Sequence, residues 1–238
     1  MLAQSIQQRR VQPELLDALP SEDAEARRSR ADLRRLNRIM GTLPIVLGAL
    51  DRVAQHAPPR SILELGAGDG SLMLNIARYR ATRWPDVAVT LLDRQSTTET
   101  KTLEAIRALG WWPGVIKAEV RDWLTQAHDG VWDIIVANLF IHHFASDELP
   151  ELFKGLAARS HAFFCCEPRR SLFALASSHL VGLLLMGPVT RADAVLSVRA
   201  GFGGDELGSC WPVEKEWTLR EYSAGLYSHC LLALRRSP

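Results

Sequence analysis

The sequence has few cysteines, no long apolar run and almost no excess of charge. Its four cysteines show neither Cys-x-x-Cys nor zinc-ligand spacing, so they are interpreted as reduced thiols and argue against a disulfide scaffold. The longest apolar stretch, 180–186, is far shorter than the roughly 20 residues that span a bilayer. A net charge of +1 gives no global reason to expect nucleic acid or an anionic membrane as partner. The start of the chain lacks a basic segment followed by an apolar run, so we expect a cytoplasmic protein without membrane insertion.

The chain is organised around residues 62–72. The apolar run that ends at Leu65 predicts a parallel strand buried on both faces. The alternating glycines Gly66, Gly68 and Gly70 permit a tight turn and the close approach of a ligand to the backbone. A helical segment follows at once, so the free N–H groups of a helix N-terminus face that turn. The stretch therefore predicts a site for a nucleotide-like ligand at the end of a strand.

The spacing of this turn distinguishes between two kinds of ligand. A dinucleotide-binding turn would have glycine or alanine at the position that Ser71 occupies. The pattern of an acid, one residue and then Gly-x-Gly-x-Gly resembles motif I of the class I S-adenosylmethionine-dependent methyltransferases. The resemblance extends over roughly residues 32–238 and implies S-adenosylmethionine as cofactor, with S-adenosylhomocysteine as product. It places four residues of the turn against the cofactor, namely Glu64, Gly66, Ala67 and Gly68.

Two further acids follow predicted strands. Asp93 follows the apolar strand 87–92, where a carboxylate can accept two hydrogen bonds from a ribose diol, with Arg94 beside it. On its own Asp93 could equally be a helix N-cap, and motif I upstream favours the ribose. After the third predicted strand, 115–120, the resemblance implies that Asp122 accepts from the adenine amino group and that Trp123 flanks the ring. Alternatively, Asp122 is a cap and Trp123 a core residue.

The N-terminal region is predicted to form a helical cap over residues 1–55, ahead of a methyltransferase-like domain over residues 56–238. Apolar residues at helical spacing predict a helix over 32–49, within a region crowded with arginines. Residues 32–38 resemble the segment that precedes motif I in many small-molecule methyltransferases. Arg34 and Asn37 lie three residues apart on one helix face, where they can meet the cofactor or the substrate.

The loop after the fourth predicted strand, 131–137, begins with Asn138 and Leu139 and includes His142 and His143. In an open α/β sheet this loop borders the ligand crevice, so Asn138 and Leu139 are predicted to contact the cofactor. The Asn/Asp-Pro-Pro-aromatic motif of base N-methyltransferases is missing, which disfavours methylation of nucleic-acid bases. The histidine pair resembles small-molecule methyltransferases related to ubiquinone and menaquinone biosynthesis, and either histidine could take a phenol's proton. The alternative is that one or both only pack.

No metal is predicted, because neighbouring histidines in extended or turn backbone point apart and the sequence offers no evident third ligand. The fifth predicted strand, 161–166, is followed by Glu167, Pro168 and two arginines that can reach the crevice or lie in a surface loop. An apolar helix over 171–186 is either core or the wall of a substrate pocket. Glycines further on suggest that about 171–216 form a lid-like insertion.

A hairpin is predicted near the end of the chain, and the class I methyltransferases have an antiparallel last strand there. The expected fold is therefore a Rossmann-like α/β sheet of seven strands, order 3-2-1-4-5-7-6, with strand 7 antiparallel and helices on both faces. The expected activity is O-methylation of a small, largely apolar acceptor, phenolic or polyketide-like. C-methylation of an aromatic, polyketide or quinone precursor remains open, as does non-catalytic binding of S-adenosylmethionine. We expect a monomer or homodimer and no nucleic-acid partner.

Overall fold

A computed structural model describes residues 6–20, 22–95, 97–126, 130–212 and 215–236. Seven strands pair into one sheet. They are β1 (Ser61–Leu65), β2 (Ala88–Asp93), β3 (Trp112–Lys117), β4 (Trp132–Asn138), β5 (Ser160–Pro168), β6 (Trp217–Ala224) and β7 (Ser228–Arg235).

The strand order is β3-β2-β1-β4-β5-β7-β6, as the sequence predicts. The strands β1 to β5 are parallel, and β7 runs antiparallel to both β5 and β6. Parallel neighbours require crossover connections, and helices supply them. The order reverses between β1 and β4, so a crevice opens at the carboxyl ends of these two strands.

Helices cover both faces of the sheet, and each face has its own core. Ile62 of β1 belongs to one apolar cluster and its neighbour Leu63 to the other, because successive side chains of a strand point to opposite faces. The α-helices are α1 (Leu15–Ala18), α2 (Ala24–Ile39), α3 (Thr42–Val53), α4 (Ser71–Arg80), α5 (Thr100–Ala108), α6 (Val120–Thr125), α7 (Leu149–Ala158), α8 (Leu172–His179) and α9 (Pro188–Ala200).

The predicted helix over 32–49 is instead two helices. Gly41 breaks it with φ of 68°, a left-handed conformation that ends α2 and starts α3 in a new direction. The helical periodicity continues across the break, so apolar spacing alone did not reveal it. The third strand is also displaced, since β3 begins at Trp112 and ends at Lys117 rather than covering 115–120.

Residues 6–20, here called the N-terminal strap, lie across the carboxyl ends of the strands. The carboxylate of Asp193 on α9 accepts hydrogen bonds from the backbone N–H groups of Leu15 and Leu16, at 2.8 and 3.0 Å. Arg170, after β5, donates to the carbonyl oxygen of Ile6 at 2.6 Å. Because these partners are distant in sequence, the strap closes the crevice through tertiary contacts.

The predicted helix over 171–186 is interrupted. Helix α8 ends at His179, a 3₁₀ turn covers Val181–Leu184, and Leu185 follows with φ of 59°. Within the described part of the chain, no helix is both long and apolar enough to cross a bilayer.

Candidate functional site

A cavity of about 700 Å³ opens at the carboxyl ends of β1, β2 and β4. Its floor is the glycine-rich turn after β1, and α2 and the strap form its cover. Every residue that the sequence assigned to the cofactor lines this cavity except Trp123. The fold thus brings together side chains from five separate segments of the chain.

The glycine-rich turn is shaped by close packing as well as by backbone conformation. Gly66 has φ of 63°, and a Cβ built there would lie 2.4 Å from Cδ2 of Phe140. The N–H of Gly68 donates to Oδ2 of Asp93 at 2.8 Å, which ties the turn to the end of β2. Gly66 is therefore required both for its left-handed backbone and for the close approach of the phenyl ring.

Gly66→Ala is expected to lower the free energy of unfolding by about 2–3 kcal/mol, from left-handed strain and a clash with Phe140. Urea denaturation measures this loss. Gly204→Ala is the matched control, because Gly204 has φ of 64° but nothing within 4 Å of the added methyl group. Equal losses for the two variants would show that the contact with Phe140 plays no part.

Glu64 is a buried carboxylate facing the cavity. It is 3% exposed, and its Oε2 has no hydrogen-bond partner among the described residues. Burial, followed by the negative charges of Asp69 and Asp93, raises the pKa of Glu64 well above its usual value. An orphaned carboxyl oxygen in this position can receive a cationic or hydrogen-bond-donating group of a ligand.

Asp93 ends β2 on the cavity wall. Oδ2 accepts from Gly68, and Oδ1 accepts from the N–H of Gln95 at 2.8 Å. These two bonds fix the carboxylate, whose remaining lone pairs can still accept from a diol. Arg94, the next residue, contacts Asp17 of the strap at 2.9 Å and so joins this wall to the cover.

Arg34 and Asn37 of α2 both line the cavity, as their spacing predicts. Arg34 forms an ion pair of 2.6 Å with Asp69 in the glycine-rich turn. Oδ1 of Asn37 accepts from the hydroxyl of Thr42 at 3.2 Å. Arg34 therefore ties α2 to the glycine-rich turn, and Asn37 joins α2 to the start of α3.

The role predicted for Trp123 is wrong. Asp122 lines the cavity from the first turn of α6, but the indole of Trp123 is fully buried in the core beside Trp132, with ring centroids 5.5 Å apart. The sequence pattern placed both residues at a strand end. Because α6 already begins at Val120, consecutive side chains point about 100° apart, so only the first of the pair faces the cavity.

The loop after β4 is held by a single buried carboxylate. Leu139 has φ of 52°, and a 3₁₀ turn over Ile141–His143 follows. Glu167 of β5 is fully buried and accepts from the backbone N–H groups of Phe140 and Ile141, at 3.1 and 2.9 Å. This fixed turn presents both histidines to the cavity.

His142 is enclosed by two carboxylates. Its Nδ1 lies 2.8 Å from Oε2 of Glu167, and its Nε2 lies 3.3 Å from Oε1 of Glu14 in the strap. Burial lowers the pKa of His142, but the hydrogen bonds and negative charges of Glu14 and Glu167 outweigh it and raise the pKa to about 9. At neutral pH both ring nitrogens therefore carry a proton, and His142 cannot accept another.

His143 has the opposite character. Burial, followed by the positive charge of His142, lowers the pKa of His143, so the ring is neutral at pH 7. Its Nδ1 lies 3.5 Å from Oδ2 of Asp17 in the strap, and its side chain remains 28% exposed. Of the two histidines, His143 is thus the one able to accept a proton from a ligand in the cavity.

The two histidines do not point apart, and a third potential metal ligand lies beside them. The two imidazole rings lie 4.3 Å apart, and Glu14 brings a carboxylate oxygen, so one ligand atom from each of the three residues lies within 4.8 Å of the others. Glu14 is further held by the hydroxyl of Ser197. Within the group, Nε2 of His142 lies 3.3 Å from Oε1 of Glu14, and Nδ1 of His143 lies 3.5 Å from Asp17.

The sequence did not identify Glu14 and Asp17, which supply the partners of the two histidines. No local pattern indicates them, because Glu14 and His142 are 128 positions apart. Of the two positions left open for the arginines after β5, the crevice is not the one observed. The guanidinium of Arg170 is taken up by the strap carbonyls and by Glu206, and neither Arg169 nor Arg170 lines the cavity.

The chain was compared with family models, with curated proteins and with solved structures. No family model matches the chain. A stretch of 99 residues is 36% identical to the ribosomal protein L11 methyltransferase of Rhodopseudomonas palustris (strain BisB5), which covers 42% of this chain and 32% of that protein. The match therefore extends over about a third of the relative's length.

Solved structures resemble the chain over nearly its whole length. The plantazolicin methyltransferase BamL, in complex with a triazolic desmethylPZN analog and SAH, aligns with a TM-score of 0.69 at 12% identity over 99% of this chain and 97% of that one. An O-methyltransferase family protein from Burkholderia thailandensis gives 0.58 at 16% identity, covering 99% and 67%. Magnesium protoporphyrin IX methyltransferase of Synechocystis PCC 6803 with bound SAH gives 0.51 at 14%, covering 93% and 91%. The chain has the seven-stranded fold of the class I methyltransferases.

Proposed function

We propose that the protein is an S-adenosylmethionine-dependent methyltransferase that methylates a hydroxyl of a small, largely apolar acceptor, phenolic or polyketide-like. The observation that carries the proposal is the position of His143. A neutral imidazole with a carboxylate behind it lies on the wall of the same cavity as the glycine-rich turn and Asp93. One cavity thus combines a nucleoside-type site with a group that can accept a proton.

The residues that line the cavity fit the cofactor. The orphaned carboxyl oxygen of Glu64 suits the α-ammonium group of the methionine part, and Asp93 suits the ribose diol. Asp122, which lines the cavity, would accept from the adenine amino group. The glycines of the turn after β1 let the ligand approach the backbone closely. When bound, the cofactor supplies an electrophilic methyl group on a sulfonium.

Apolar side chains in the lining of the cavity favour a largely apolar acceptor. Leu16 of the strap, Leu33 of α2 and the rings of Phe140 and Phe144 line the same cavity as His143. With the strap in place, these groups separate the acceptor from water. Positioning of this kind supplies much of the rate enhancement in a displacement between two bound reactants.

Within this site His143 has the role of proton acceptor. Its free nitrogen takes the proton of the acceptor hydroxyl as the oxygen becomes nucleophilic, and the carboxylate of Asp17 stabilises the imidazolium that forms. His142 does not act on the acceptor. As an imidazolium fixed between Glu14 and Glu167, it holds the strap over the cavity and keeps the pKa of its neighbour low.

Calorimetric titration with S-adenosylhomocysteine, S-adenosylmethionine and NAD tests the cofactor. We expect both sulfur nucleosides to bind and NAD not to bind. Asp93→Ala should weaken binding about tenfold to a hundredfold, since two hydrogen bonds to a charged group are lost. Asp51→Ala is the control, because Asp51 on α3 is paired with Arg80 at the last residue of α4, whereas only the first two residues of α4 line the cavity. Binding of NAD alone would refute the assignment.

Methyl transfer to a panel of phenols, enolisable polyketide mimics and amines then tests the acceptor. The proposal expects O-methylated products from the first two classes, identified by the position of the methyl group. Products methylated only on nitrogen or carbon would contradict it while leaving the cofactor assignment intact.

A further inference from the structure

Three leucines after α8 are exposed to solvent and lie outside the candidate site. Leu180, Leu183 and Leu185 have relative exposures of 57, 79 and 80%. Residues 180–185 are here called the leucine loop. None of them lines the cavity, and two apolar side chains in the first turn of α8, Leu172 and Phe173, are also exposed, at 51 and 53%. Three strongly exposed leucines within six residues point to a place of interaction.

The backbone of the leucine loop is fixed in a costly conformation. Leu185 ends the 3₁₀ turn with φ of 59° and ψ of 27°, a left-handed conformation in which glycine or asparagine is usual. The loop is nevertheless held from both sides. Arg35 of α2 donates to the carbonyl oxygen of Leu184 at 2.9 Å, and Asp32 accepts from the N–H of Gly187 at 2.7 Å. These hydrogen bonds thus fix the leucine loop in a conformation that exposes its leucines to solvent.

The charged side chains that contact residues 182–187 are three arginines and one acid, Asp32. No acidic residue occurs between Glu167 and Asp193, whereas Arg191 lies against Gly182 and Arg28 lies against Gly187. Arg28, Arg35 and Arg191 are all exposed. The nearby carboxylate of Asp32 is turned inward onto the Gly187 amide and the hydroxyl of Thr190. Exposed leucines with arginines at their base are the pattern of a surface that enters the headgroup region of an anionic bilayer.

The leucine loop is also connected to the cavity. Leu33 and Arg34 of α2 line the cavity, and the next residue, Arg35, holds the loop. One helix therefore carries the cover of the site and the support of the apolar surface. An acceptor that dissolves in lipid could enter the cavity from that side without crossing bulk water.

We propose that the leucine loop docks on an anionic lipid surface, with Leu183 and Leu185 entering the interface and Arg28, Arg35 and Arg191 facing the headgroups. The docking itself stands on these exposures and charges alone. The statement that the acceptor is drawn from the membrane rests on the proposed function. The small net charge of the whole chain does not oppose docking, because screening leaves only nearby charges effective at the surface.

Flotation of the full chain with phosphatidylglycerol vesicles and with phosphatidylcholine vesicles tests the docking. Binding is expected to the first, to weaken as salt is raised, and to be much weaker to the second. Leu183→Ser with Leu185→Asn should lower affinity at least about tenfold, because two leucines that would enter the bilayer interface are lost, while asparagine tolerates the left-handed backbone. Arg28→Gln and Arg35→Gln should each cost about fivefold.

Matched controls are available on the edge strand β6, where Leu219 is 41% exposed and Arg220 is exposed. Leu219→Ser and Arg220→Gln are expected to leave vesicle binding unchanged. Absence of flotation, or equal flotation of all variants, overturns the proposal. A dimer in light scattering that Leu183→Ser with Leu185→Asn dissolves would overturn it too, by assigning the loop to a second copy. Titration with S-adenosylhomocysteine, unaffected by these variants, separates failure of docking from failure of the proposed function.

Discussion

Replacing His143 with alanine is expected to lower kcat by about 10²- to 10⁴-fold, the usual contribution of a positioned general base. Affinity for S-adenosylhomocysteine should stay close to that of the unchanged protein, because Glu64, Gly68 and Asp93, which are proposed to hold the cofactor, lie outside the loop that carries His143. His161→Ala is the control, since His161 is exposed on β5. The measurement is single-turnover methyl transfer with a phenolic acceptor found by the screen.

The pH profile separates catalysis from packing at this position. Burial and the charge of His142 lower the pKa of His143, so the acid limb of kcat is expected below the usual histidine range. Activity should rise as pH increases through that pKa, because only the neutral ring accepts a proton. In the alanine variant the limb should vanish. Unchanged turnover or an unchanged acid limb would remove His143 from the reaction.

Glu167→Ala is expected to have the largest effect on stability, a loss of about 3–5 kcal/mol in the free energy of unfolding. The substitution leaves the buried imidazolium of His142 without its closest counter-charge and two backbone N–H groups without an acceptor. Urea denaturation at pH 7 measures the loss. Glu151→Ala is the control, because the side chain of Glu151 is 83% exposed, and it should change stability by less than about 0.5 kcal/mol.

The contact between His142 and Glu167 also makes stability depend on pH. The folded pKa of His142, about 9, lies above its unfolded value of 6.5, so its stabilising contribution is complete below the unfolded value. That contribution is lost as pH rises through the folded pKa. Unfolding free energy should therefore decline by a few kcal/mol between neutral pH and values above 9, and Glu167→Ala should flatten most of that decline. A flat profile in the unchanged protein would show that His142 is neutral when folded.

Local patterns predicted the sheet well, because parallel strands and tight turns are specified by neighbouring residues. The glycine-rich turn, Asp93 and the histidine pair were found in this way, and the cavity contains all of them. The order of the strands came from the resemblance to class I methyltransferases, and the structure confirms it. The wrong assignment of Trp123 came from a misplaced boundary between strand and helix. Trp123 was placed at a strand end, although the start of α6 had already rotated it into the core.

The rest of the site could not be predicted, because it is made by contacts between distant segments. Nothing around Glu14 or Asp17 indicates that each meets a histidine more than a hundred positions away. The opposite protonation of two adjacent histidines is equally invisible in sequence, since it depends on which ring the carboxylates of Glu14 and Glu167 enclose. The leucine loop was predicted as part of a continuous apolar helix, and periodicity gave no sign that its leucines would face solvent.

The strap has a consequence for how the chain is made. Its residues are translated well before Arg170, Asp193 and Ala200, their partners 164 to 191 positions further along the chain. At roughly 5–20 residues per second, the strap waits about ten seconds or more for these partners to emerge. During that interval the strands β1 to β4 can pair around an uncovered crevice. A ligand can therefore reach the crevice of the nascent protein before the strap covers it.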